Sequence, residues 1–199
     1  MDRDNERTTP TTYRKGGIGM DITYTTIDSS LGWLLVAATE RGLCAVRFGK
    51  SAAALEQTLW REFPAATIWR DDAALRPRVD AVMGYLNGQR KQLDLPLDVQ
   101  ATAFQSRVYE ALRAIPYGST RSYSQVAQAI GQPAAAQEVA QACAGNPVAL
   151  VIPCHRVVRQ SGGLGGYRWG VQRKRALLER EAQAVPTEEQ ALATASALA

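Results

Sequence analysis

The chain has 199 residues, 46% of them hydrophobic and 21% charged, with a net charge of +4 and an isoelectric point near 9.1, which suits one or two compact domains around a substantial core. No run of about 18 apolar residues is available to span a bilayer, and the start, Met1-Asp-Arg-Asp-Asn-Glu-Arg7, lacks the apolar centre of a signal peptide, so no membrane partner is expected and the expected compartment is the cytoplasm. Three cysteines without metal-ligand spacing and a single histidine argue against a disulfide framework and a zinc site, while the basic balance allows a nucleic-acid partner without requiring one.

Residues 1–19 are polar and Thr-rich and read as a disordered leader. From Ile22 the pattern changes to short β-type runs, Ile22 to Thr26, Trp33 to Val36 and Leu43 to Phe48, separated by turn residues, which predicts an antiparallel meander with Cys44 in its core. Ser51 caps a predicted helix with Leu55, Leu59 and Phe63 on one face, ending at Pro64. Ala66 to Trp69 adds a strand, and a second helix is expected over Ala74–Leu86, with Pro77 in its first turn and Gly88 as its stop. Leu93-Asp-Leu-Pro-Leu97 reads as an edge strand or extended linker, and the domain boundary is placed there, giving a small α/β domain over 20–98.

The following domain, 99–184, is mainly helical. Thr102 caps a helix with Phe104, Val108, Ala111, Leu112 and Ile115 inward, closed by Pro116-Tyr-Gly118. Ser122 to Ile130, a turn at Gly131-Gln-Pro133 and an alanine-rich helix over 134–144 fit either a helix-turn-helix or two packed helices of a small bundle. The second of these helices carries Ala135, Ala136 and Ala140 among its small residues, so it is thin enough to enter a narrow groove. A last helix spans Val171 to about Ala182, with Leu177 and Leu178 inward and Arg173, Lys174 and Arg175 on a solvated face, and 185–199 reads as a mobile tail.

Between these helices lies the stretch that carries chemistry. The apolar run Val148 to Ile152 delivers Pro153, then Cys154 beside the chain's one histidine, His155, then Arg156 and Val157, with the loop Gly162-Gly-Leu-Gly-Gly166 close behind. A thiol reacts as thiolate, and its free pKa of about 8.5 leaves it largely protonated at neutral pH unless a base assists. His155 is the available base; adjacent side chains rarely bond directly, so a water relay is expected, with a carboxylate fixing the far ring nitrogen. Glu181 on the last helix is the candidate for that carboxylate, the alternative being an ordinary surface residue.

Pro153-Cys-His-Arg-Val157 resembles the active-site signature of the O6-alkylguanine-DNA alkyltransferases. The likeness extends through Phe104-Gln105, Ile115-Pro116, Gly118, Ser122-Tyr123, Gly145-Asn146, Gly166-Tyr167 and Leu177-Leu-Glu-Arg-Glu181, while residues 24–48 resemble the small α/β domain of bacterial members. It is strongest to the C-terminal half of Ada-type proteins, and Tyr13-Arg-Lys-Gly-Gly17 looks like the frayed end of their regulatory domain, whose Cys-rich zinc site has no counterpart in these residues. The resemblance implies an α/β N-terminal domain, an antiparallel sheet with helices, followed by a mainly α, winged-helix-like helix-turn-helix domain. It implies a monomer acting once, without cofactor or metal, on double-stranded DNA containing alkylated guanine, with O4-alkylthymine as a further candidate substrate.

By the same resemblance a flipped guanine meets Cys154, which takes the alkyl group, while His155, a water and Glu181 form the thiolate and Asn146 braces the turn. Tyr123 presses on the backbone and protonates the leaving guanine; the carbonyls of Cys154 and Val157 read its exocyclic amine; Tyr167, Gly166 and Arg168 wall the pocket. Gln137, Ala135, Ala136, Ala140 and Arg156 are the expected DNA contacts. One departure matters: where the family places an arginine on the recognition helix, nine residues before the Asn, this chain has Gln137, followed by Glu138, so weaker duplex binding is expected. Two other readings compete, a damage-recognition module that binds alkylated DNA with impaired transfer, which the presence of Cys154 opposes, and a cysteine hydrolase, which needs a second, distant histidine.

Overall fold

The structure, a computed structural model, describes residues 19–183 and the backbone of a strand at 11–14. That strand, β1 (Thr11–Arg14), corrects the reading of a structureless leader for four of its residues: it lies parallel to β6 (Leu97–Gln100), with Tyr13 opposite Val99, where a Thr-Thr-Tyr sequence suits extended backbone. The rest of the expected leader before residue 19, including the Gly16-Gly17 end of the Ada-like segment, and the expected tail from 185 lie outside the described residues.

The meander forms as expected from β2 (Asp21–Ile27), β3 (Trp33–Thr39) and β4 (Gly42–Gly49). The complete sheet, however, is mixed rather than antiparallel, in the order β1-β6-β4-β3-β2-β5. The cause is helical crossovers: α1 (Ala52–Glu62) carries the chain back so that β5 (Thr67–Arg70) runs parallel to β2, and α2 (Asp72–Leu86) does the same for β6 beside β4. Both helices start on side-chain caps, Ser51 accepting from the Ala54 N–H and Asp71 from the Ala74 N–H. Because α2 begins at Asp72, Pro77 falls in its second turn rather than its first and forgoes the bond its N–H would have given to Ala73. Only Leu97 of the expected extended segment enters a strand, and β6 continues to Gln100, past the boundary expected at 98.

Strand alternation sends side chains to two cores. Ile22, Leu35, Ala37, Cys44 and Ala45 pack with Leu55 and Leu59 of α1. Leu34, Val36, Val46 and Phe48 face α2 and continue without a break into Val108 and Leu112 of α3 (Ala103–Arg113), Val126 of α4 (Tyr123–Ala129), Val139 of α5 (Ala136–Gly145) and Leu177 of α6 (Val171–Gln183). Thr102 with Gln105 and Ser122 with Gln125 form reciprocal capping boxes on α3 and α4. The alanine-rich helix starts two residues later than expected, since Ala135 offers no capping oxygen and Pro133 lies in the turn; Glu138 in the first turn of α5 favours the helix dipole. A short parallel pair, β7 (Arg121–Ser122) and β8 (Val157–Val158), ties α4 to the cysteine segment. No described helix is long and apolar enough to cross a membrane.

The basic face expected at 173–175 is the clearest miss in α6. Lys174 is fully buried, and the Arg173 guanidinium donates to the carbonyls of Leu31 (2.6 Å), Trp169 (2.7 Å) and Gly49 (3.2 Å) over the Phe48 ring, leaving only Arg175 exposed. Arg173 thereby fastens α6 to two turns of the N-terminal sheet.

Candidate active site

The run Val148–Ile152 is buried throughout but forms no strand; it docks on β4, where Val46 donates to the Pro147 carbonyl and accepts from the Ala149 N–H. Its chain reverses sharply at Leu150, whose φ of 72° is in the left-handed region that a non-glycine residue occupies only when its surroundings enforce it. Asn146, fully buried, supplies that enforcement: its Oδ1 accepts from the Val148 N–H (2.9 Å) and its Nδ2 donates to the Ile152 carbonyl (2.8 Å). The same Nδ2 donates to Cys154 Sγ at 3.2 Å.

Cys154, His155 and Arg156 form one turn of 3-10 helix, all inward. Burial pushes the Cys154 thiol up to about 11 against the opposing pull of the Asn146 donor and Lys174, so the thiol rests protonated. His155 is 0% exposed; burial draws its pKa below the usual value despite the carboxylate beside it, so the imidazole rests neutral. Its Nε2 donates to Glu181 Oε1 at 2.6 Å, and its Nδ1 has no partner among the described residues. Glu181 is thus the carboxylate behind the ring and not a surface residue. It also accepts from the Gly118 N–H (2.9 Å), from Arg156 Nε (2.9 Å) and from the Tyr85 hydroxyl. Burial works to raise its pKa, but the bonds from His155, then Tyr85 and the Gly118 N–H, hold it down at about 2.

The other expected residues fall into three groups. Tyr123 opens α4 half-buried, its hydroxyl so close to the Gly162–Gly166 loop that a Cβ at Gly165 would lie 3.1 Å from it; burial and then the neighbouring thiols raise its pKa, keeping the phenol neutral. Tyr167 stands edge-on to Trp169 with its hydroxyl inward, beside an exposed Gly166, and Val157 is buried. On α5, Gln137 and Glu138 are exposed and Ala136 and Ala140 half-exposed, with Ala135 just before the helix. Two residues are elsewhere than expected. Arg156, 6% exposed, spends its guanidinium inward on Glu181, the Ile115 carbonyl (2.6 Å) and Tyr85, so it does not face DNA; an unpaired carboxylate in that position is too costly to leave without it. Arg168 turns to Glu62 Oε1 of α1 (3.1 Å) instead of the pocket wall, sharing that carboxylate with Arg47, which pairs with Oε2.

Comparison with known proteins gives the same arrangement a lineage. Two family models match, 6-O-methylguanine DNA methyltransferase, ribonuclease-like domain, over residues 22–99 and 6-O-methylguanine DNA methyltransferase, DNA binding domain, over 103–183. The methylated-DNA–protein-cysteine methyltransferase of Mycobacterium tuberculosis (strain ATCC 25618 / H37Rv) is 44% identical over 168 residues, 84% of this chain and 96% of that protein. The chain belongs to this family. It is also 49% identical over 171 residues, 86% of its length, to the bifunctional transcriptional activator/DNA repair enzyme Ada of Escherichia coli (strain K12), and it spans about half of that relative, 48%. Among solved structures, M. tuberculosis OGT in complex with DNA superposes with a TM-score of 0.71 at 39% identity, over 84% of this chain and 98% of that one.

Two members of the site escaped sequence reasoning. Lys174 is buried against the thiol segment, its ammonium donating to the carbonyls of Val157 (2.5 Å) and Gly166 (3.3 Å), and so links the cysteine turn to the glycine loop. Its spacing was a usable signal, because Lys174, Leu177 and Glu181 lie on one helical stripe, i, i+3 and i+7. Tyr85, from α2, carries no such signal: it is one more aromatic on an apolar helix face.

Proposed function

We propose that this chain repairs DNA directly, taking the alkyl group of O6-alkylguanine onto Cys154 in one irreversible step, as a single-turnover methylated-DNA–[protein]-cysteine S-methyltransferase. The observation that carries the reading is a buried thiol held by Asn146 Nδ2 in front of the His155–Glu181 pair. A damaged base inside the duplex stack is out of reach of such a thiol, so the nucleotide is flipped out to meet it. Sγ attacks the alkyl carbon, the carbon–O6 bond breaks, and a thioether forms. The thiol proton passes to His155, whose open Nδ1 is the acceptor through a shared water, and Glu181 stabilises the imidazolium. Guanine leaves with a proton from the neutral Tyr123 phenol, and that phenol is restored from the site, so the thiol hydrogen is in effect exchanged for the alkyl group. The carbonyls of Cys154 and Val157, the latter held by Lys174, read the base, and Tyr167 with the glycine loop walls it in.

DNA lies against the α4–α5 pair, a winged-helix-like helix-turn-helix with β7–β8 at its side, and the chain works as a single copy in the cytoplasm without cofactor. Incubation with an O6-methylguanine oligonucleotide followed by peptide mass analysis is expected to show one methyl on the Cys154 peptide and none in Cys154→Ala; an unmodified peptide under excess substrate would sink the reading. A peptide left unmodified while damaged DNA is still bound would point to the recognition module that the exposed Gln137 and Glu138 keep in contention.

Gln137 sits in the first turn of α5 with its side chain free to solvent. An arginine there adds a cation beside phosphates, so Gln137→Arg is expected to tighten duplex binding by roughly tenfold and to steepen its salt dependence by about one counterion. Fluorescence anisotropy across a salt series reads both; equal affinity for the two proteins counts against α5 as the recognition helix.

A further inference from the structure

The geometry points to Tyr85 as a positioning residue of the transfer relay, contributed by the domain that precedes the thiol. It sits near the end of α2, 4% exposed, and its hydroxyl reaches the buried network that Glu181 supplies from α6. There it donates to Glu181 Oε1, accepts from Arg156 Nη2 (3.2 Å) and lies 3.3 Å from His155 Nε2. No other hydroxyl among the described residues bonds to that carboxylate, and the hydroxyl touches no reacting atom. It acts on the base through the partner that the base leans on. This inference rests on the alkyl-transfer reading.

The consequence is a matter of charge distribution. The groups facing His155 are Glu181 and Lys174 from α6, Arg156 and Cys154 from its own turn, and Tyr85 from α2; Tyr117, edge-on to Tyr85 at 5.8 Å, closes the cluster from the loop after α3 with the Arg156 guanidinium over its ring. Oε1 divides its negative charge between the imidazole N–H, Arg156 and the phenol. A donor that takes part of that charge weakens the pull of Glu181 on a protonated ring, so Tyr85 helps keep His155 neutral and able to receive the thiol proton. Removing the hydroxyl while keeping the ring leaves the packing and returns that charge to the His155–Glu181 bond. The imidazole then holds a proton to higher pH.

His155 is the one histidine of the chain, so its titration can be followed without ambiguity by NMR of histidine-labelled protein. Tyr85→Phe is expected to move the His155 midpoint up by about 0.5–1 pH unit and to move the acidic limb of single-turnover methyl transfer with it. Val82→Ala, on the same helix, buried and outside the network, controls for loosened packing and should lower the melting temperature while leaving both midpoints in place. An unmoved His155 midpoint in Tyr85→Phe, or an equal shift in Val82→Ala, overturns the proposal. Failure of the wild-type protein to take up a methyl group would instead overturn the alkyl-transfer reading, and the NMR titration separates the two results.

Discussion

A Glu181→Ala protein is expected to lose about 3–5 kcal/mol of folding stability and all measurable alkyl transfer. The carboxylate is 1% exposed and is the shared acceptor for His155, Arg156, Tyr85 and the Gly118 N–H. Deleting it leaves the Arg156 guanidinium buried with a charge that nothing nearby compensates, which is far more damaging than losing a surface pair. Denaturant unfolding measures the loss, and a midpoint within experimental error of wild type would remove Glu181 from the centre of the fold. Acid tells the same story from the other side. Because Glu181 is held at about 2, below the carboxylate's ordinary 4.5, its contribution is complete above about pH 4.5 and disappears as the pH falls towards 2. His155, whose folded pKa is depressed, acts in the same direction at higher pH: below 6.5 the unfolded chain takes a proton that the folded site resists. Wild type is therefore expected to weaken on acidification in two stages, and the alanine variant to lack the second.

Asn146→Ala is expected to cost about 2–4 kcal/mol and to slow transfer by roughly 10- to 100-fold. The side chain closes the Leu150 reversal through Val148 and Ile152, so its removal leaves the buried Val148 N–H without its acceptor and takes one of two donors from the Ile152 carbonyl, which keeps the Cys154 N–H, while the strained residue loses its brace. The chemical part has a definite sign. The Nδ2–Sγ bond favours thiolate, so without it the Cys154 pKa rises further and the proton is harder to remove. Asn146→Asp separates the two effects: it keeps an acceptor for Val148 but sets an anion beside the sulfur, so transfer should fall more steeply than stability. Single-turnover rates alongside unfolding curves test this, and parallel losses in both variants would mean that Asn146 only braces the turn.

Local chemistry made much of this molecule legible in advance. Ser51 and Thr102 announced their helices, alternation over 22–48 predicted the meander, and Pro153-Cys-His-Arg marked the buried cysteine turn. The parallel strands were not legible, because β5 and β6 acquire their partners only after α1 and α2 have crossed the sheet. Arg156 and Lys174 misled for a related reason: charge suggests solvent, and only the folded chain shows the carboxylate and carbonyls that receive them indoors. Tyr85 was hidden by distance, seventy residues from the histidine it adjoins.

On the proposed single-turnover reading, the thiol has to stay intact until a damaged base arrives. Burial pushes the Cys154 thiol up to about 11 and leaves it 3% exposed, so at neutral pH it rests protonated and shielded, and peroxides and stray electrophiles, which react with thiolate, meet little to attack. The burial that would make the sulfur depend on His155 for its activation is also what preserves the unreacted thiol.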